Sequence, residues 1–561
     1  MNLEHILLLF MIAICLAGLA AARLRIAPPI TFLILGCAIA SIPNMPVITI
    51  KPEYMLLIFL PPILMEAAFF TSIREFRNNL RPILQLALGL VVATSVAVAV
   101  VVMAIIPDAT WALGLVLGAI VSPPDAAAAT FALKGVRVPR RITAILEGES
   151  LINDATGLVL FKFTLATVIT AHFSPIEAGL EFIWLAIMGV VIGIIIGWGF
   201  VKIYPHIRDL NVEIIATFIP PYAAYILAEN VHASGVLAVV TAGLYVGWHA
   251  PSIFSPNFRI PVEAIWKMMI FALNAIVFLL IGLQFPDLLS RLNDYKIPYL
   301  IVSALAICMT VAGVRFIWVY LLAYGTRFLI PSIREHDPYP AWQNVFVIAW
   351  TGMRGVVTLA TALALPLTIT TSIQFPHRDL LIFLAVCVIV FTIIIQGATL
   401  PYILRKLTLK YEDRFILEEW QTRIAMTQNA LAHLEKLRDD PTIYQPALDR
   451  IYAHYSERLQ SLGDGPNTPL FDSDVPSAAN HPLIQSENRI WHEVLRGERR
   501  LLIALRREFK VGDDIMHDIL REMDLLASRF HYDAITTPAT LHSHKTMIER
   551  TRELFRSSPS R

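Results

Sequence analysis

The sequence predicts an all-α polytopic membrane protein of about thirteen transmembrane helices, followed by a helical cytosolic C-terminal region. Three observations carry this reading. Apolar runs of about twenty residues, the length that spans a bilayer, recur along residues 1–410. Charge is unevenly divided: residues 1–410 hold 20 Asp+Glu and 25 Lys+Arg, whereas residues 411–561 hold 24 and 20. The Lys and Arg residues of the short loops, finally, fall almost entirely on alternate sides of the successive runs.

The chain is 56% hydrophobic and 16% charged, against about 25% charged in soluble domains. A closed β-barrel is the other way to span lipid, but its strands of about ten alternating residues do not describe continuous apolar runs. Acidic and basic residues nearly cancel, so net charge argues neither for nor against a nucleic-acid partner, and none is expected. The run HILLLFMIAICLAGLAAA lacks a positively charged flank and reads as a first span, not a cleaved signal. The runs on either side of ENVHAS are the one place where two spans could be counted as one. Cys15, Cys37, Cys308 and Cys387 lie inside apolar runs at no metal-ligand spacing, which suits small packing residues.

Orientation follows from the loops. One side collects Arg23, Arg25, Arg74, Arg77, Arg81, Lys134, Arg137, Arg140 and Arg141. It continues with Lys202, Arg208, Arg259, Lys267, Arg327, Arg334, Arg405, Lys406 and Lys410. The other side has Lys51, Arg291, Lys296 and Arg378. Excess Lys and Arg marks the cytosol, so the N-terminus is expected outside and the C-terminal region inside, in a cell membrane.

The expected division is a transmembrane domain over 1–410 and a helical domain over 411–561, with an internal loop at about 463–482, GDGPNTPLFDSDVPSAANHP. Segments such as EDRFILEEWQTRIAMTQNALAHLEKL place apolar residues at helical spacing among charges of both signs. A packing or dimer-contact domain and a ligand sensor both fit. WHEVLR lacks the second histidine of a zinc-hydrolase helix.

Ionisable groups near the bilayer centre cost about 2.5–3.5 kcal/mol each on insertion scales and are functional candidates for that reason. GESLINDATG sets Glu149, Ser150, Asn153 and Asp154 inside an apolar run. Ser150 and Asp154 are four residues apart on one helical face, and Glu149 and Asn153 form the adjacent row. Asp154 and Glu149 are separated by about 140° around the axis, so they need different partners. In WALGLVLGAIVSPPDAAAATFAL, Pro123 and Pro124 remove donors and disfavour α geometry, predicting a break beside Asp125. Opened backbone within a membrane must be buried in protein or line a water-filled cavity, so Asp125 is expected to face an interior.

Glu66, in FLPPILMEAAF, is expected to line an inner vestibule. Arg354, between Gly352 and Gly355 in NVFVIAWTGMRGVVTLATALALP, requires a carboxylate partner from another segment. Lys162 and Arg315 either snorkel or pair internally, and Glu213, Glu229 and Glu263 are expected near span ends. Hard oxygen ligands without a Cys/His cluster suit a hard cation. A cation channel would need a repeated filter loop, and a membrane-embedded enzyme a nucleophile–base pair or metal spacing; neither accompanies these carboxyls.

SPPDAAA, GESLIND, AENVHASGVLAVVTAGLYVG and WTGMRGVVTLATAL together resemble the sodium/proton antiporters of the NhaP/NHE type, in the cation:proton antiporter superfamily. The resemblance covers roughly residues 5–410. It implies an NhaA-like antiporter fold: inverted six-helix repeats around a linking helix, with broken helices crossing at the ion site, in a homodimer. It implies that Asp154 is the essential cation- and proton-binding aspartate, Asn153 the amide before it, Asp125 the second aspartate and Ser150 a hydroxyl ligand. Glu66 would reach the ion directly or through water, Pro124 would offer its backbone carbonyl, and Glu149 with Arg354 would form the core salt bridge. Where relatives commonly carry Thr or Val, this sequence has Pro124, which removes a side-chain hydroxyl.

The resulting expectation is exchange by competition. Na⁺ (or Li⁺) and H⁺ alternate at Asp154, helped by Asp125, in an electroneutral one-for-one antiport without a cofactor. A K⁺/H⁺ antiporter of the same fold is the alternative.

Overall fold

The computed structural model describes residues 3–24, 28–42, 52–125, 138–170, 175–207, 209–293, 295–369, 374–407, 414–440, 443–463 and 482–529. The described residues are helical apart from connections and one isolated bridge, Thr368 with Gln374. In chain order the helices are α1 (Leu3–Leu24), α2 (Pro28–Ala40), α3 (Pro52–Phe70), α4 (Ile73–Asn78), α5 (Leu80–Ile105) and α6 (Trp111–Val121). Next come α7 (Arg140–Thr170), α8 (Pro175–Ile203), α9 (Leu210–Asn230), α10 (Gly235–Ile253), α11 (Pro256–Arg291) and α12 (Ile297–Leu329). Then follow α13 (Pro331–His336), α14 (Trp342–Trp350), α15 (Val356–Leu363) and α16 (Arg378–Lys406). The C-terminal helices are α17 (Arg414–Leu437), α18 (Gln445–Gly463), α19 (Pro482–Arg507) and α20 (Asp513–Arg529).

Among the described residues, eight helices are long and apolar enough to cross a membrane, and four shorter apolar helices accompany them. The chain divides into two compact units, Met1–His249 with Ala264–Tyr411, and Ala250–Glu263 with Glu412–Arg561. The turn joining α10 and α11 thus belongs to the second unit, which the sequence reading did not anticipate. Most of the loop expected near 463–482 lies outside the described residues, as do Lys134 and Arg137.

In the first unit a continuous apolar core is built from α5, α6, α15 and α16, where Val98, Leu117, Leu359 and Leu384 are buried. Small residues let these axes approach closely. A Cβ at Gly118 of α6 would lie 2.5 Å from Ser95 Cα and O of α5, so only glycine fits there. By contrast α8 keeps Leu180, Trp184, Ile187 and Ile195 more than half exposed. An apolar surface of that extent suits hydrocarbon, not water.

The second unit packs α17 against α18 and α19, and α19 against α20. Met426, Leu448, Val494, Leu502 and Met516 form its core. Arg259 forks onto Asp524 with both contacts at 2.7 Å, and Arg499 reaches the same carboxylate at 2.5 Å. Tyr455 donates to Glu498 at 3.1 Å inside this core. Burial pushes the Glu498 carboxyl up to about 7, against the opposing pull of Arg458 and Tyr455.

Candidate cation site

α7 carries the polar band that the sequence placed inside an apolar run. Glu149, Asn153 and Asp154 are buried on it, and Ser150 is half-buried one turn before Asp154. Beside it, α6 starts on a capping Thr110 and ends at Val121, as two prolines without N–H groups require. The last helical bond there runs from Ser122 N to Gly118 O at 2.9 Å. Past the prolines, Asp125 N leaves the helix ladder and donates to Met353 O at 2.7 Å. Asn153 Nδ2 donates to Pro124 O at 3.0 Å, joining α7 to the break. Among the described residues the buried Asn153 Oδ1 has no hydrogen-bond partner.

Met353 belongs to an interruption between two helices. α14 stops at Trp350, α15 begins at Val356, and residues 351–355 between them are not helical. Gly355 is needed because a Cβ there would fall onto the Asp125 carboxyl. The Asp125 carboxyl thereby sits beside the N-terminal end of α15, where an anion is favoured by the helix dipole.

The ends of α6 and α14 leave C-terminal carbonyls without helical partners in an apolar interior, and an arginine meets each set. Arg354 Nε donates to Val121 O at 2.9 Å and Nη2 to Ser122 O at 3.3 Å, closing the end of α6; its Nη1 bonds Gly352 O. Arg315, from mid-α12, donates to Ile348 O at 3.2 and 3.1 Å, closing the end of α14. The rest of the Arg315 fork lies on Glu149, with Nη1–Oε1 at 2.6 Å and Nη2–Oε2 at 2.9 Å.

This corrects the expected pairing. The partner of Glu149 is Arg315, not Arg354. Arg354 is turned toward freed carbonyls because the backbone past the ends of α6 and α14 offers more acceptors than one carboxylate. Both guanidiniums are fully buried, and a planar five-donor group suits such carbonyl arrays better than an ammonium does. The depth of Arg315 was the missed signal. It lies about 20 Å from the nearer end of its helix by the 1.5 Å rise, too deep to snorkel.

The other predicted residues are placed as follows. Glu66 is half-buried on α3, a helix that packs against both α7 and α15. Lys162 pairs with Glu229 at 2.7 Å, on side chains 46% and 35% exposed, away from the buried set. Thr392 Oγ1 of α16 accepts the Arg354 amide at 3.1 Å; sequence reading passed over it, because TIIIQG reads as plain apolar helix. What the structure draws together is therefore Asp125, Asn153, Pro124, Arg354 and the interruption between α14 and α15, with Asp154 buried on the adjoining turn of α7.

Comparison with known proteins agrees with this architecture. The family described as sodium/hydrogen exchanger, transmembrane, matches residues 7–406. An uncharacterised Na⁺/H⁺ exchanger of Mycobacterium tuberculosis is 31% identical over 518 residues, 91% of this chain and 93% of that protein. A sodium, potassium, lithium and rubidium/H⁺ antiporter of Bacillus subtilis is 32% identical over 384 residues, 66% of this chain and 57% of its own length. The fold is similar to that of the sodium proton antiporter MjNhaP1 from Methanocaldococcus jannaschii, with a TM-score of 0.55 at 19% identity. That match covers 71% of this chain and all of the other. The family match spans residues 7 to 406, most of the chain, and the protein therefore belongs to the sodium/hydrogen exchanger family.

Proposed function

We propose that Asp154 is the exchanging group of a Na⁺ (or Li⁺)/H⁺ antiporter, holding one proton or one dehydrated cation but not both. Asp125 assists it, and Ser150, Asn153 Oδ1, Glu66 and the Pro124 carbonyl supply further oxygens. The observation that carries this is the bond from Asn153 Nδ2 to Pro124 O at 3.0 Å. It ties the turn holding Asp154 to the non-helical backbone holding Asp125, while leaving a buried amide oxygen without a partner among the described residues.

Exchange is electroneutral and one-for-one on this reading. Only charge that changes between loaded states counts, and Glu149 is committed to Arg315. Arg354 keeps its charge on carbonyls, which leaves one exchanging carboxylate per cycle. Alternating access moves the loaded site between the two sides. The protein works as a homodimer of about thirteen crossings per chain, with the N-terminus outside, the C-terminal unit in the cytosol and no cofactor.

The test is purified protein in proteoliposomes with a pH-reporting dye, to which Na⁺, Li⁺ and K⁺ are added in turn. Na⁺ and Li⁺ should dissipate a pH gradient, and Asp154→Asn should abolish the response. Robust exchange by that variant refutes the assignment. A response to K⁺ alone would transfer the site to a K⁺/H⁺ exchanger.

A further inference from the structure

Among the described residues three of the long helices contain a π-helical turn, at Gln85–Leu90 in α5, Leu321–Gly325 in α12 and Thr392–Gly397 in α16. Such turns recur at functional positions because they take backbone and side chains out of the α-helical register. The third one abuts the interruption between α14 and α15. The fully buried Thr392 hydroxyl accepts from Arg354 N at 3.1 Å and donates to Ile389 O at 3.1 Å. Trp350, at the other edge of the interruption, donates Nε1 to Gln396 O at 3.3 Å and to Thr399 Oγ1 at 3.1 Å.

The interruption is thus held at both edges by one stretch of α16. Residues 351–355 make no regular helical ladder; within the stretch Thr351 N donates to Val347 O and Gly352 N to Trp350 O, both at 2.9 Å. What it positions is specific. The residue before Arg354 is Met353, whose carbonyl receives the Asp125 amide at 2.7 Å. A shift at Arg354 N therefore reaches Asp125 through one peptide unit and one hydrogen bond.

We propose that Thr392 is a positioning residue for cation binding, setting the place of Asp125 through Arg354 and Met353, with the Trp350 indole as a second anchor to the same helix. This rests on the reading of Asp154 and Asp125 as the cation site. A hydroxyl that merely satisfied a buried amide would affect stability and leave cation affinity alone.

The experiment compares wild type, Thr392→Val, Thr392→Ser, Trp350→Phe and Asp154→Asn as full-length protein in proteoliposomes over a Na⁺ concentration series. Thr392→Val should raise the half-saturating Na⁺ concentration about fivefold, the equivalent of one neutral hydrogen bond, with the maximal rate changed by less than about twofold. Thr392→Ser should restore the wild-type value, and Trp350→Phe should raise it in the same direction. Wild-type half-saturation in Thr392→Val, or a fall in maximal rate alone, overturns the proposal. If Thr392→Val yields no folded protein, Trp350→Phe decides: unchanged half-saturation there overturns it. Exchange by Asp154→Asn would instead refute the underlying site, whatever the Thr392 variants do.

Discussion

The Glu149 carboxylate lies against the Arg315 guanidinium through two contacts, at 2.6 and 2.9 Å, on side chains only 1% and 0% exposed. The same arginine closes the end of α14. The pair therefore joins α7, α12 and α14 in a region where an unpaired charge is costly.

Breaking that pair from either side should lower stability sharply. Loss of one partner from a buried ion pair costs about 3–5 kcal/mol, so Arg315→Ala and Glu149→Ala should each reduce folded yield and melting temperature. The double variant should fall well short of the sum, and the 149/315 coupling should exceed the 149/354 coupling. Thermal melts of detergent-purified Glu149→Ala, Arg315→Ala, Arg354→Ala and the 149/315 and 149/354 double variants check this; equal couplings would contradict the assigned pairing.

Arg354→Lys should act differently. An ammonium cannot fan across Val121 O, Ser122 O and Gly352 O as the guanidinium does. With Glu149–Arg315 intact, yield should stay within about twofold while the exchange rate falls at least tenfold, roughly the loss of one or two hydrogen bonds. Initial rates in proteoliposomes, normalised to incorporated protein, give the answer.

Gly355→Ala places a methyl group on the Asp125 carboxyl. Overpacking costs about 1–3 kcal/mol, which corresponds to a loss of exchange of about fivefold to 150-fold if Asp125 is displaced. Gly313→Ala, where nothing lies within 4 Å of the added Cβ, should exchange normally. Cation-dependent dye responses of the two variants side by side test the contrast.

In the C-terminal unit, Glu498 has its carboxyl raised by burial from 4.5 to about 7. A raised folded value means that the native state holds the proton more tightly. The associated stability is complete below about 4.5, is lost as pH rises, and is gone above about 7. Glu498→Gln should remove that contribution, so its unfolding temperature should fall less than that of wild type between pH 5 and 8. Melting curves of full-length wild type and variant across that window measure the difference; parallel pH profiles would refute the assignment to Glu498.

Much of this was legible in residue types and spacing. Two consecutive prolines dictate the end of α6, and five residues of helix put Glu149 and Asp154 on different faces whatever surrounds them. Azimuth between helices was not legible. Sequence gives the depth of Arg315 and Arg354 but not which of them faces α7, so the carboxylate went to the wrong arginine. The π-helical turn at Thr392–Gly397 was hidden too, because TIIIQG has the composition of any apolar helix and its register shift arises from packing. Nor does composition tell why Ala250–Glu263 folds with the C-terminal unit; the Arg259–Asp524 contact that accompanies this is a tertiary fact.

Competition at Asp154 is tested most directly by counting protons. Na⁺ titrated into detergent-purified protein by calorimetry, in buffers of differing ionisation enthalpy, reports how many protons leave for each cation bound. At a pH where the site is mostly protonated, wild type should release close to one proton per Na⁺, and Asp154→Asn should neither bind Na⁺ with comparable affinity nor release a proton. Saturable Na⁺ binding with no proton release at any pH, or undiminished release by Asp154→Asn, would contradict the account.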